Sequence, residues 1–167
     1  MNREQLEHAI RAACDVSRDN ELYIFGSQAI LGQYPEAHTQ LRQSIEVDLS
    51  PKNRPEAVDK IDGALGENSR FHQTHGFYVH GVSLETAALP ARWKERTHKV
   101  QETMDEKNIG WGIEAHDLAA SKLIAFREKD LVFVRRLLIE SMIDADKLIK
   151  RIQSIKTEEE LKEQALR

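Results

Sequence analysis

Apolar residues recur along this chain first at helical spacing, then in strand-like runs, and finally at helical spacing again. Leu6, Ile10 and Ala13 share one helical face ahead of the polar stretch Ser17-Arg-Asp-Asn20, which predicts an opening amphipathic helix. Leu22-Tyr-Ile-Phe25 follows as an apolar strand that ends at Gly26-Ser27, and Ala29, Ile30 and Leu31 continue as a short helix. In Ser44-Ile-Glu-Val-Asp-Leu49 apolar and acidic residues alternate. A strand there sends Glu46 and Asp48 to one side and Ile45, Val47 and Leu49 toward the core.

Pro55 suits a first helical position and Gly66 a helix stop, with Ala57, Val58, Ile61 and Leu65 as the buried face between them. Phe77-Tyr-Val-His-Gly-Val82 reads as a further strand, and a turn at Leu89-Pro90 leads to the segments 97–101 and 109–113. From Asp117 the helical pattern dominates, and neither glycine nor proline occurs after Gly112 to break it. The expected architecture is α/β (α+β): a sheet core over residues 1–115 and a helical part over 116–167, in one domain.

The length supports that expectation, because 167 residues build one real core and are too few for two domains of ordinary size. With 31% charged and 40% hydrophobic residues and a net charge of -4, the chain falls in the soluble globular class and is a poor candidate for non-specific adhesion to nucleic acid. Local basic grooves remain open at Arg92, Lys94, Arg96, His98 and Lys99, and at Arg127, Lys129, Arg135 and Arg136. A lone cysteine, Cys14, has no disulfide partner and no metal-type spacing. The N-terminus lacks the apolar stretch of a signal peptide, and no run approaches the ~20 apolar residues of a membrane span. The expected compartment is the cytoplasm, with no membrane partner.

Candidate chemistry centres on Gly26-Ser27 and on Glu46 and Asp48. Two carboxylates on one strand face suit Mg²⁺, which takes one or two protein carboxylates and completes its octahedron with water and substrate phosphates. Glycine at a turn lets a ligand approach the backbone, and the unpaired N–H groups that open a helix attract phosphate. A nucleoside triphosphate is the natural candidate ligand. The stretch Gln33 to Gln43 separates the short helix from the acidic strand; within it Arg42 reads either as facing phosphates or as an exposed arginine.

A Gly-Ser turn, a helix and an acid-apolar-acid strand together resemble the signature of the polymerase-beta-like nucleotidyltransferase superfamily. The segment Asp117-Leu-Ala-Ala-Ser-Lys122-Leu-Ile-Ala-Phe-Arg127-Glu-Lys129-Asp130 resembles one found in the AbiEii-type branch, which contains toxins of bacterial toxin-antitoxin and phage-defence systems. The resemblance runs from about Leu22 to Leu138. It implies a nucleotidyltransferase-like mixed sheet flanked by helices, with Glu46 and Asp48 as metal ligands and Glu46, Asp48 and Lys122 as catalytic residues. Gly26 and Ser27 would hold the β- and γ-phosphates, Lys122 would contact the nucleotide, and Arg127, Lys129 and Asp130 would belong to the nucleotide site. The bland reading of Asp130 is the N-cap of a helix from Leu131 to Met142.

The superfamily commonly carries a third acid on a later strand. Residues 77–82 contain no carboxylate; Glu85 lies past that strand, and His80, on the face of Tyr78 and Val82, is a candidate base. His72 and His75 with His80 lack the spacing of a zinc site. Trp93 and Trp111 read as core or groove-wall residues, because no aromatic ladder accompanies them.

The function that follows is Mg²⁺-dependent transfer of a nucleoside monophosphate from a nucleoside triphosphate to a hydroxyl of RNA (tRNA included) or protein, as a toxin held in check by an antitoxin protein. The alternatives are a nucleotide-binding or scaffolding module of the same fold without turnover, and a partner-binding protein that works through its C-terminal amphipathic helices.

Overall fold

The computed structural model describes residues 1–167. Five strands form a mixed sheet in the order β3-β2-β1-β5-β4, and eight α-helices flank it. The strands are β1 (Glu21–Phe25), β2 (Glu46–Pro51), β3 (Tyr78–Gly81), β4 (His98–Val100) and β5 (Ile109–Gly112). β1 pairs antiparallel with β2 and parallel with β5; β2 pairs parallel with β3, and β4 antiparallel with β5. The expected mixed sheet with flanking helices is therefore present.

Helix α1 (Arg3–Ser17) begins with a capping box. The Asn2 side chain accepts from the Gln5 backbone, and the Gln5 side chain accepts from the Asn2 backbone. Its apolar stripe, Leu6, Ala9, Ile10 and Ala13, is buried against the sheet, with Cys14. Burial pushes the Cys14 thiol up to about 12, so it is a packing residue without thiolate chemistry. A Cβ on Gly110 of β5 would lie 2.6 Å from Ile10 Cδ1, so glycine is what allows α1 and the strand to approach. On the same side, Val47, Leu49 and Val79 alternate inward as strand geometry requires, and α3 (Val58–Leu65) buries Ile61 and Leu65. Ile45 departs from its expected place. It precedes β2, is 48% exposed, and only its carbonyl is engaged, by the Tyr78 N–H.

Between α3 and β3 lies α4 (Arg70–His75), a short helix that the apolar pattern does not reveal because none of its residues is buried. Ser69 caps it through the His72 N–H. His75 packs edge-on or tilted against His8, Phe71 and Phe77, which makes it part of an aromatic cluster, while His72 Nδ1 accepts from the Asn68 N–H.

The second layer consists of α5 (Ala115–Ala125), α6 (Glu128–Ile139), α7 (Ala145–Ser154) and α8 (Glu159–Leu166), in which α5 packs on α6, α7 and α8. Leu148, Ile152, Ile155 and Ala165 join the main core, so the C-terminal amphipathic helices are used within the chain. Asp117, fully buried at the start of α5, accepts from Arg96 (2.8 and 2.9 Å) and from Arg151 (2.8 Å). Arg151 also reaches Glu114 at 3.0 Å, and His116 bridges Glu114 to the Asp144 N–H. This network ties α5 to α7 and to the turn at 93–96. It also consumes Arg96, so the basic cluster at 92–99 is not a free groove. Arg92 is paired with Glu95, and Lys94 lies over Tyr23 and Trp93.

Candidate active site

The face of the sheet opposite α1 carries the polar residues of the central strands. Register places Phe25 beside Asp48, Glu46 beside Tyr78, and Asp48 beside His80, so Glu46, Asp48, Tyr78 and His80 project together. Trp93 packs edge-on against Tyr23 and Phe25 on that face, and Trp111 donates to Glu21 at 2.9 Å; both are partly buried against the core and neither lines the cleft beside Gly26.

β1 ends at Gly26, whose φ of 67° and ψ of -175° fall in a region open essentially to glycine. A Cβ there would lie 2.1 Å from Asp48 Oδ2. Two separate demands, the turn and the neighbouring carboxylate, thus fix glycine at this position. The turn continues as a single 3₁₀ turn (Ser27–Ala29) into α2 (Ile30–Gln33), so the short helix stands where the sequence puts it. Gln28 is buried, with its amide nitrogen 3.0 Å from Ser27 Oγ and 3.2 Å from the Leu41 carbonyl. Ser27 accepts that bond and keeps its own hydroxyl hydrogen free to donate.

A cleft of about 320 Å³ opens beside this turn, lined among others by Gly26, Ser27, Glu46, Asp48, Lys122, Arg127 and Lys129. Three distant stretches of sequence thus meet, as the motif reading requires. The remaining wall is built by Gln28, Ser44 and Phe133 together with Gln40, Leu41 and Gln43 from the stretch that separates the short helix from the acidic strand. Arg42 does not face the cleft; its Nε donates to the Ala37 carbonyl at 2.6 Å and so folds that stretch.

The anionic wall is crowded. Burial and the adjacent Glu46 carboxylate push Asp48 up to about 6. Burial also opposes ionisation of Glu46, but the Tyr78 hydroxyl donating at 2.6 Å and the hydrogen bond shared with Asp48 outweigh it, and Glu46 lies below its usual range. His80 Nδ1 stands 3.1 Å from Asp48 Oδ1 and 3.7 Å from Glu46 Oε1. The ligand atoms of Glu46, Asp48 and His80 all lie within 4.8 Å of one another, close enough for the three to share one metal ion. β3 contributes this histidine at the register position facing Asp48 and carries no carboxylate of its own.

The cationic wall comes from the α5–α6 corner. Phe126 takes a left-handed conformation (φ 54°), ending α5, and α6 begins at Glu128. The helix expected from Leu131 therefore starts three residues earlier, and Asp130 lies inside its first turn instead of capping it. The Asp130 side chain is fully buried and accepts from Lys122 Nζ (3.1 Å), Arg127 Nε (2.7 Å) and the Arg127 N–H (3.3 Å). Burial opposes its charge, but these donors outweigh it and hold the carboxyl below its usual range. Asp130 lies beneath the cleft, and its part is to position the two bases. Lys122 Nζ also sits 4.6 Å from the centre of the Phe133 ring, and burial lowers its pKa. Lys129 is exposed at the rim.

A mixed sheet with a Gly-Ser turn at the end of one strand and paired carboxylates on its antiparallel neighbour defines a nucleotidyltransferase-like protein. The family model described as nucleotidyltransferase of unknown function (DUF6036) matches residues 4–167, and the chain belongs to that family. No curated protein and no solved structure matches it. No helix is long and apolar enough to cross a membrane.

Proposed function

We propose that the protein transfers a nucleoside monophosphate from a nucleoside triphosphate to a hydroxyl of an RNA or protein acceptor, with a divalent cation of the magnesium type. The observation that carries this reading is the polarity of the cleft. Two crowded carboxylates on β2 face Lys122, Arg127 and Lys129 across the Gly26 turn. The donor set fits the cation: two carboxylates side by side on a half-open strand face, with burial and the Glu46 charge raising the pKa of Asp48, a strain that a bound cation would relieve. When bound, such an ion neutralises charge on the entering and leaving oxygens of an in-line displacement.

The chain's own groups do the rest. Glu46 and Asp48 hold the cation, Gly26 gives the triphosphate room against the backbone, and the Ser27 hydroxyl donates toward it. Lys122 and Arg127, held in place by Asp130, present positive charge to the β- and γ-phosphates and to the departing pyrophosphate, and Lys129 adds to it at the rim. The resemblance of residues 117–130 to the AbiEii-type segment supports a toxin role with an antitoxin partner as the biological setting.

The test is incubation with Mg²⁺, each labelled nucleoside triphosphate in turn, and total cellular RNA plus protein, beside Asp48→Asn. Label transferred by the wild type and abolished in the variant is the expected outcome, and it identifies donor and acceptor class. Nucleotide binding without transfer would move the assignment to a catalytically silent module of the same fold.

A further inference from the structure

β2 and β3 run parallel in a register that sets His80 directly beside Asp48, and its Nδ1 is close to both carboxylates at 3.1 and 3.7 Å. Neighbouring donors around a small octahedral cation bound at about 2.1 Å lie about 3 Å apart, so a nitrogen occupies the place of a third oxygen donor. Packing does not explain the residue. His80 is 53% exposed in its side chain and belongs to no apolar cluster. Its neighbour Tyr78 is engaged with Glu46, and His72, which stacks on Tyr78, points its ring nitrogen at the Asn68 backbone. The two donors that His80 faces are the carboxylates themselves.

Mg²⁺ is a hard ion that favours all-oxygen coordination, whereas imidazole nitrogen suits first-row transition ions. We propose that His80 is a nitrogen ligand of the cleft's cation, and that this site takes a first-row transition ion in preference to Mg²⁺, Mn²⁺ serving as the paramagnetic probe of that class. The inference rests on the cation site of the proposed function and refines it. It makes His80 a metal ligand through Nδ1 and removes that nitrogen from the role of general base.

The experiment uses the full chain with Mn²⁺ alone as the probe. Binding stoichiometry is followed by electron paramagnetic resonance, nitrogen coordination by electron spin echo modulation, and Mg²⁺ affinity by competition. The expected result is one Mn²⁺ per chain with imidazole-nitrogen modulation. In His80→Asp the modulation disappears and the Mn²⁺ to Mg²⁺ affinity ratio falls, because an all-oxygen donor set no longer favours the transition ion. His80→Gln, which adds no charge, guards against repulsion among three acids and should lose the modulation equally. Bound Mn²⁺ without nitrogen modulation, or modulation that persists in both variants, overturns the role of His80 and leaves the two-carboxylate site standing. Failure of the wild type to bind either ion overturns the cation site as well.

Discussion

Asp117 and Asp130 are fully buried in the helical layer, and each is met by two cations, Arg96 with Arg151 and Lys122 with Arg127. Glu46 and Asp48 are more open, yet they face each other and Asp48 is driven toward its protonated form. Burial alone would have nominated the wrong pair as unusual. A buried carboxylate with its full set of donors is a fastening, whereas a partly exposed pair left short of positive charge is poised for a ligand that brings it. The protein separates the two tasks by layer: the helices carry the matched charges, and the sheet carries the mismatched ones.

Removing a matched carboxylate should have the largest effect. Asp117→Ala removes the carboxylate that Arg96 and Arg151 share, leaving Arg151 with Glu114 and Arg96 with the Ala91 carbonyl, and should cost about 3 kcal/mol of stability, the low end for breaking a buried ion pair from one side. Urea denaturation measures it, and a cost near zero would remove the distinction between the two layers.

The mismatched pair should behave in the opposite way. Burial and the Glu46 charge push Asp48 from 3.8 up to about 6 in the folded protein, so its contribution is absent below about pH 4, grows into a penalty between about pH 4 and 6, and is fully present above 6. Asp48→Asn retains the shape and can still donate to Glu46. It should stabilise the metal-free protein at pH 8 by about 1–2 kcal/mol, part of the roughly two-unit shift, and lose that advantage at pH 4. Thermal denaturation across that range checks the sign. A variant less stable at pH 8 would mean that the pair fastens the sheet.

The finest test is the pH dependence of cation binding to the wild type. The pair must release its shared proton to bind an ion, so affinity should fall by about tenfold per pH unit below about 6 and level off above it. Calorimetric titration at several pH values gives the slope, and a flat profile would place the cation elsewhere.

Much of this arrangement could be read before the chain was folded. Alternation in 44–49 gave the direction of Glu46 and Asp48, because a strand turns successive side chains to opposite faces whatever surrounds it. The Gly-Ser turn and the basic corner at 122–130 stand out by their resemblance to nucleotidyltransferase segments, in the same order along the chain. Ile45 broke the alternation because it lies ahead of the strand, where the ladder no longer orients it. The α4 helix escaped notice because it has no buried face, and periodicity is visible only where one face differs from the other.

Local rules therefore determined the helices with an apolar stripe, the strand that carries the acids, and the residue types able to bind a phosphate-bearing ligand. Tertiary structure alone decided that β3 pairs with β2 so that His80 meets Asp48, that β5 enters beside β1, and that Gln40, Leu41, Gln43 and Ser44 wall the cleft. It also decided that Asp130 anchors Lys122 and Arg127 from below. Each of these joins residues far apart in sequence or sets a choice among partners of similar chemistry. Charge and hydrophobicity name what a residue can bind, but register and burial select which partner it meets.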